Sequence, residues 1–252
     1  MKTTGNRRGV CLVALAGLTL AGCASTGEKV SMGDPWEPYN RRVNSFNNGV
    51  DRVLLKPLAK GYKFITPDPV ERGVSNVFSN LRTPISIVNN LLQGKPGSAL
   101  SETGRLVVNS TIGLAGIFDP ASAMGLDQKS EDFGQTMAVW GVPSGPYFVL
   151  PFWGPSTVRS AVGLLPNQLA HGRNFFETGV RDKLLISEII TGRASLLALD
   201  SQIAASNDPY IFVREAYLQN RNFVIYDGNP PIEEDEFEDD FDEDLDSFDD
   251  DL

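Results

Sequence analysis

The sequence of 252 residues contains one histidine and two cysteines, and this scarcity limits the chemistry that it can support. Because His171 is the only imidazole, a metal site built from several histidines is excluded, and we predict neither a metal nor a cofactor. Cys11 lies in an N-terminal apolar stretch that we expect to be removed. Cys23 then has no second thiol, so no internal disulfide is possible.

Charge is also sparse in the centre of the chain. The formal net charge of −10 arises at the C-terminus, because residues 233–252 carry 14 acidic groups and no basic one, whereas residues 23–232 carry a net charge of +1. A nearly neutral body does not favour nucleic acid as a partner. Long apolar runs are missing as well: after residue 22 no segment reaches 18 uncharged apolar residues, so we expect no transmembrane helix.

The N-terminus has the pattern of a bacterial lipoprotein signal. Basic residues precede an apolar run over residues 9–20, which is too short to cross a bilayer of roughly 30 Å and predicts a signal peptide over residues 1–22. The ending Leu20-Ala21-Gly22-Cys23 resembles the lipobox, which implies diacylglycerol on Cys23 and cleavage before it. An ordinary secretory peptide is the alternative. Ala24 favours the outer membrane, and residues 23–33 are interpreted as a lipidated tether.

Apolar periodicity over residues 34–228 predicts one helical domain with Gly- and Pro-rich loops. The chain contains 24 Gly and 16 Pro, which favours short elements, and no alternating run is long enough to predict a strand. We therefore predict an all-α fold. In the first half, the predicted boundaries are a helix from Tyr39, a break at Thr66–Pro69, a helix start at Thr83-Pro84, a stop at Gly94 and a segment from Ser101 to Phe118. In the second half, we predict one or two helices over Phe175–Ile203 and a last helix over Pro209–Phe223. The residues predicted to face inward over Phe175–Ile203 are Val180, Leu184, Ile189, Leu196 and Ile203.

Two segments, residues 106–118 and 146–165, are more apolar than the surface of a monomer requires. They fit either an ordinary buried core or contact with a membrane, and periodicity alone does not separate the two.

An ordered set of short motifs gives the chain a resemblance to a known family. They begin with Asp34-Pro35-Trp36-Glu37-Pro38-Tyr39-Asn40-Arg41 and Asn44-Ser45-Phe46-Asn47, continue with Asn109-Ser110-Thr111-Ile112-Gly113, Asp132-Phe133-Gly134-Gln135-Thr136 and Gly141-Val142-Pro143-Ser144-Gly145-Pro146-Tyr147, and end with Ser206-Asn207-Asp208-Pro209-Tyr210 and Arg214-Glu215-Ala216-Tyr217. Together with the lipobox, the set resembles the MlaA (VacJ) family of outer-membrane lipoproteins.

This resemblance implies a ring-like, all-helical single domain that lies in the inner leaflet of the outer membrane, lipid-anchored on the periplasmic side of a Gram-negative cell and associated with a porin trimer. It also implies a non-enzymatic function. Such a protein removes mislocalised phospholipids from the outer leaflet through a central channel, which maintains lipid asymmetry. It passes the lipids to the periplasmic carrier MlaC.

A phospholipid channel needs a polar but uncharged lining. Moving two acyl chains into water costs about 25 kcal/mol, and an unsatisfied charge in hydrocarbon costs a few kcal/mol more. We predict that Asn40, Asn44, Asn47 and Asn109 contribute to this lining, and that Phe46 faces acyl chains or braces the ring. The alternative is that these asparagines are solvated or capping side chains and that Phe46 belongs to the core.

Two further groups of residues are candidates for lipid handling. Arg72, Arg105 and Arg159 are candidate headgroup ligands, because a guanidinium matches phosphate, although surface arginines are commonly only solvated. The glycines of the Gly/Pro-rich loops are candidates for a lid or hinge, with rigid loop corners as the alternative. These glycines are Gly141, Gly145 and Gly154.

The acidic tail, residues 229–252, is predicted to be disordered. Its apolar residues nevertheless recur at helical spacing, which leaves open that it docks on a basic apolar groove of a partner. They are Phe237, Phe241, Leu245, Phe248 and Leu252.

An enzyme, such as a phospholipase, is the main rival interpretation. It lacks support because the sequence contains no G-x-S-x-G, no P-loop and no H-E-x-x-H, and because His171 has no neighbouring Ser or Asp pattern, which indicates a structural histidine. A structural envelope lipoprotein is the third interpretation.

Overall fold

The computed structural model describes residues 34–231. The predicted signal peptide, the tether with Cys23, and the apolar stripe of the acidic tail lie outside the described residues. In chain order the elements are α1 (Glu37–Val50), a π-helical turn (Asp51–Leu55), α2 (Lys56–Ile65), α3 (Asp68–Leu92), α4 (Pro96–Thr111), α5 (Pro120–Ala123), α6 (Phe133–Val139), β1 (Tyr147–Leu150), β2 (Gly154–Thr157), α7 (Val158–Ala170), a 3₁₀ turn (Gly172–Phe175), α8 (Thr178–Ser195), a 3₁₀ turn (Leu196–Leu199), α9 (Asp200–Ala205) and α10 (Pro209–Ile225). The all-α prediction is confirmed, with one small hairpin added.

The first helical segment runs without interruption from α1 through the π-helical turn into α2. It ends at Ile65, where Thr66 takes an extended conformation, and α3 begins at Asp68. The predicted helix from Tyr39 and the predicted break at Thr66–Pro69 are therefore confirmed.

Helix α3 is a single helix of 25 residues, so the predicted helix start at Thr83-Pro84 is wrong. Pro84 lies inside α3, where it removes one backbone donor, and the φ that proline imposes is compatible with a helix. Close packing of α3 along α4 keeps both sides of this position helical. The stop at Gly94 is confirmed, because this glycine has a left-handed φ of +73°.

Helix α4 both begins and ends earlier in the chain than the sequence predicts. It starts at Pro96 rather than Ser101 and ends at Thr111 rather than Phe118. After Thr111 the chain folds back through left-handed φ values of +53° at Leu114, +57° at Ala115 and +90° at Gly116. These conformations cannot continue a right-handed helix, so the predicted segment over Ser101–Phe118 is wrong at both ends.

The Gly- and Pro-rich region contains a two-stranded antiparallel hairpin that the sequence did not predict. Tyr147 pairs with Thr157 and Leu150 pairs with Gly154. On its inner side Tyr147 and Val149 form an apolar cluster with Tyr210 of α10, so the hairpin ties the last helix to α1. Four-residue strands are too short for a clear alternating pattern.

Helices α6 and α7 cross at two glycines, which sets the geometry beneath the hairpin. A Cβ added to Gly163 would lie only 2.7 Å from the backbone nitrogen of Gly134. Because no side chain fits between the two backbones, α7 is held directly against the start of α6.

In the C-terminal half the predicted helices are present, but some of the residues predicted to face the core are exposed. The helices over Phe175–Ile203 and the last helix from Pro209 are confirmed. The inward prediction is wrong for Val180, Ile189 and Leu196, which are exposed, while Leu184 and Ile203 are partly buried.

The interior of the described chain is more polar than its exterior. Within residues 34–231, 40 large apolar side chains are exposed, 10 apolar residues are buried and 17 polar or charged residues are buried. A soluble monomer buries its apolar residues, so this distribution is inverted. No helix of the described part is long and apolar enough to span a membrane.

Candidate functional site

The asparagines of α1 hold the hairpin. Asn40 is fully buried, and its Nδ2 donates to Asp34 Oδ1 at 2.9 Å and to the Tyr147 carbonyl at 3.2 Å. Its Oδ1 accepts from the backbone amide of Val149 at 2.8 Å. Asn40 therefore uses its amide group to bind the backbone of β1.

Asn47 repeats this contact two turns along α1. It donates to the Leu150 carbonyl at 2.9 Å and accepts from the backbone amide of Phe152 at 2.8 Å. Between the two lies the partly buried Asn44, whose side chain makes no hydrogen bond within the described residues. Half-exposed Phe46 packs edge-to-face on Phe152, with ring centroids 5.3 Å apart. A channel-lining role for these residues stays a prediction.

A buried carboxylate joins the start of the body to its last helix, and sequence reasoning missed it. Asp34 accepts hydrogen bonds from the Trp36 amide, from Asn40 and from the hydroxyl of Tyr210, and Arg214 lies 3.7 Å away. Burial and the hydrogen bond to Asp34 raise the pKa of Tyr210 above its ordinary value. No local signal in the sequence singled out Asp34, because Asp-Pro also occurs at Asp68, Asp119 and Asp208.

Arg105 and Asn109 converge on Asp119 across the loop that follows α4. Arg105 is 5% exposed and donates to Asp119 Oδ2 at 2.9 Å, to Ser122 Oγ at 3.0 Å and to the Leu126 carbonyl. Asn109 donates to Asp119 Oδ1 at 2.9 Å and accepts from the Ala121 amide. Burial opposes ionisation of Asp119, but hydrogen bonds from Ser122, Arg105 and Asn109 outweigh it and lower its pKa to about 2.

Arg159 has no such partner. It stands in the first turn of α7, is partly buried, and has no carboxylate within 4.0 Å among the described residues. Its Nη1 donates to the Val142 carbonyl at 2.8 Å, while its buried Nε has no hydrogen-bond partner. Burial and the neighbouring charge of Arg221 lower the pKa of Arg159 below its ordinary value.

The third candidate, Arg72, lies on the surface of α3. It lines a shallow cavity of about 410 Å³ together with Lys63, Asp68, Glu71 and Ser75. Two of the lining residues, Lys63 and Glu71, form an ion pair at 2.8 Å.

The three candidate glycines occupy left-handed conformations. The φ values are +82° at Gly141, +69° at Gly145 and +80° at Gly154. Gly145 is also tightly packed, because an added Cβ would lie 2.9 Å from the Cβ of Val158. A hinge or lid role for these positions stays a prediction.

His171 is buried in an ion-pair cluster between α3 and α8. Its Nδ1 accepts from the Arg173 amide at 3.2 Å, and its Nε2 lies 3.3 Å from Glu188. Burial opposes ionisation of Glu188, but His171, Arg82 and Arg173 outweigh it and lower its pKa. The side-chain contacts of His171 within residues 34–231 are with the Arg173 amide and the Glu188 carboxylate, as in a residue that stabilises the fold.

Helix α3 carries a buried polar stripe that sequence reasoning did not single out. Asn80 and Asn90 are buried, and each has an amide oxygen without a hydrogen-bond partner. The stripe consists of Asn80, Thr83, Ser86, Asn89 and Asn90. The three-residue spacing of Asn80, Thr83, Ser86 and Asn89 was visible in the sequence, but the predicted helix start at Thr83-Pro84 divided it. Within residues 34–231, no cluster of acidic, His or Cys side chains is suited to a metal ion.

A helical body with an apolar exterior and a polar interior is typical of proteins that rest against lipid. The family model described as MlaA lipoprotein matches residues 32–224. The chain therefore belongs to the MlaA lipoprotein family.

Relatives and a solved structure agree with this assignment. The intermembrane phospholipid transport system lipoprotein MlaA of Shigella flexneri is 35% identical over 221 residues, which cover 86% of this chain and 88% of that protein. An uncharacterised protein of Rickettsia typhi is 36% identical over 198 residues, or 76% of this chain and 78% of its own length. A solved structure that concerns the maintenance of bacterial outer membrane lipid asymmetry matches this chain with a TM-score of 0.68 and 34% sequence identity. The match covers 77% of this chain and 99% of that chain.

Proposed function

We propose that this protein removes mislocalised phospholipids from the outer leaflet of the outer membrane and passes them to the periplasmic carrier MlaC, without covalent chemistry. The inverted distribution of apolar residues, 40 exposed against 10 buried, is the observation that carries this proposal. Exposed apolar side chains at this density need lipid or partner surface around them. Similarity to a named phospholipid transport lipoprotein over 86% of the chain supports the same function.

The proposed location rests on the lipobox at Cys23 and on the family resemblance. A lipid on Cys23 holds the protein on the periplasmic side of the outer membrane, and the ring-like helical body lies in the inner leaflet against a porin trimer. Multiple acyl chains at the N-terminus make such anchoring firm, because each buried CH₂ contributes about 0.8 kcal/mol.

Within this body the hairpin is the element whose position depends most on α1. Asn40 and Asn47 bind its backbone at both ends of β1, and Phe46 packs on Phe152 beyond it. In this proposal Asn44 is the one of Asn40, Asn44 and Asn47 that is available to a passing headgroup, because its side-chain amide makes no hydrogen bond within the described residues. Asn109 contributes by holding Asp119 and the loop after α4. The glycines at positions 141, 145 and 154 then allow the adjoining loops to move.

The test measures outer-leaflet phospholipid in cells in which a variant replaces the parent protein, and in cells from which the protein is deleted. We expect Asn44→Leu to leave outer-leaflet phospholipid near the level of the deletion, although the variant remains folded and membrane-bound. Asn47→Leu should fail as well, because it also releases the hairpin. Asn48→Leu is the matched control, since Asn48 is exposed on the same helix. Normal removal by Asn44→Leu would contradict the channel role, and normal removal without any protein would contradict the function.

A further inference from the structure

Among the partly or fully buried cations of residues 34–231, Arg159 is the one without a carboxylate within 4.0 Å. The others each form an ion pair, for example Arg105 with Asp119, Arg173 with Glu188 and Arg193 with Asp51. An unpaired guanidinium that is partly removed from water costs free energy, and its buried Nε without a partner adds to this cost. Such a cost is unexplained unless an anion completes the site.

The surroundings of Arg159 raise the positive potential further. Both Nη atoms of the neighbouring Arg221 donate to Asp132, at 2.5 and 3.2 Å, so this carboxylate pairs with Arg221 and not with Arg159. Arg159 also stands in the first turn of a helix of 13 residues, where the helix dipole disfavours a cation and favours an anion.

The backbone amides of this turn are already used. Val158 donates to the Pro146 carbonyl, Arg159 donates to the Ser144 carbonyl, and Ser160 donates to Thr157 Oγ1. An anion must therefore be bound by the guanidinium side chain. Its Nη2 makes no hydrogen bond within the described residues, and a guanidinium matches the paired oxygens of a phosphate.

Exposed apolar residues lie near Arg159 along the chain and at the carbonyl that it binds. Val158 precedes it and Val162 follows it by one turn on α7, Val142 supplies the carbonyl, and all three are exposed, as is Trp140. A free inorganic ion would gain nothing from these exposed residues, whereas a molecule with a phosphate and acyl chains could bury them. We propose that Arg159 is the centre of a phosphodiester-binding site for the headgroup of a phospholipid, with Arg221 reinforcing its charge.

This inference rests on the proposed function and names a site for the lipid. The test uses the full-length lipoprotein in non-ionic detergent and phosphate-free buffer. The probe is dihexanoyl phosphatidylcholine, with binding measured by calorimetry and by the shift of Tm. We expect Arg159→Gln to weaken binding on the order of tenfold, because the variant loses a charge-assisted hydrogen bond to the phosphate. Arg159→Lys should weaken binding less. Arg181→Gln, an exposed arginine paired with Asp182, is the control and should bind like the parent protein.

Three results would overturn the site. Equal affinity in the parent protein and Arg159→Gln removes the role of Arg159. Binding of inorganic phosphate at least as tight as that of the lipid, with the same dependence on Arg159, assigns the site to free phosphate. If Arg159→Gln does not fold, Arg159→Lys decides, and unchanged affinity in that variant overturns the proposal because the forked donor is lost while the charge is kept.

Failure of this site is distinguishable from failure of the proposed function. Normal phospholipid removal in cells that carry a non-binding Arg159 variant would overturn a headgroup site on the transport route and leave the function intact. Loss of removal in that variant, with membrane attachment retained, supports both.

Discussion

Arg105 and Arg159 are two arginines that the sequence treats alike and the structure treats differently. In the α4–α5 region, Arg105 is enclosed by Asp119, Ser122 and the Leu126 carbonyl. In the α6–α7 region, Arg159 has one carbonyl partner, and the charge that affects its pKa most is that of another arginine, Arg221. The guanidinium of Arg105 thus finds its hydrogen-bond partners within its own region, whereas Nε and Nη2 of Arg159 have no partner within the described residues.

This difference indicates that Arg105 stabilises the fold, whereas the partly buried Arg159 is available to bind a ligand. A buried ion pair is costly to break, because the remaining partner stays uncompensated. A buried charge without a partner lowers stability, and strained or unsatisfied groups of this kind cluster at functional sites.

The largest expected effect is at Arg105. Arg105→Met leaves Asp119 without its charged partner and should lower the free energy of unfolding by about 3–5 kcal/mol. Chemical unfolding of the detergent-extracted protein measures this effect. Arg181→Gln, at an exposed pair, should change stability by no more than about 1 kcal/mol. A loss at Arg105 as small as that control would show that its ion pair does not hold the loop.

A smaller loss is expected in the hairpin, where Asn40 makes hydrogen bonds but no ion pair. Asn40→Ala removes three hydrogen bonds and leaves the buried backbone amide of Val149 without its side-chain partner, so we expect a loss of about 1–3 kcal/mol. Asn44→Ala on the same helix should cost about 0.5 kcal/mol or less. The same unfolding measurement applies, and equal losses in the two variants would contradict the hydrogen-bond assignment.

The sequence was sufficient for the helices whose signals are local. The break at Thr66–Pro69, the stop at Gly94 and the helix from Pro209 each follow from proline or glycine at a boundary. It failed at Pro84, where packing of α3 on α4 overrides the local signal. It also failed after Thr111, where non-glycine residues take left-handed conformations that no local rule predicts.

The candidate site was less predictable because its chemistry depends on distant partners. Asn40 binds backbone more than 100 residues away, and Arg105 meets Asp119 across a tight loop. Periodicity placed the asparagines on one face of α1 correctly, but it could not show that β1 lies against that face. For the same reason, the sequence could not separate Arg159 from Arg105.

Acid should affect the Arg105 region selectively. Because hydrogen bonds lower the pKa of Asp119 from 3.8 to about 2, its contribution to stability is fully present well above pH 3.8 and is lost as the pH falls through about 2. Unfolding measured between about pH 5 and pH 2 should show a decline in stability that is smaller in Asp119→Asn. An identical decline in both proteins would assign the acid sensitivity to other carboxylates.

The smallest expected change is at Arg159, and it sharpens the comparison most. Replacing this arginine by methionine removes a partly buried charge that has no acidic partner, so the free energy of unfolding in lipid-free detergent should stay within about 1 kcal/mol of the parent value or rise. Addition of dihexanoyl phosphatidylcholine should then stabilise the parent protein and not the variant, since a ligand adds stability only to the form that binds it. A loss of several kcal/mol without lipid would place Arg159 with Arg105, as a residue that the fold itself requires.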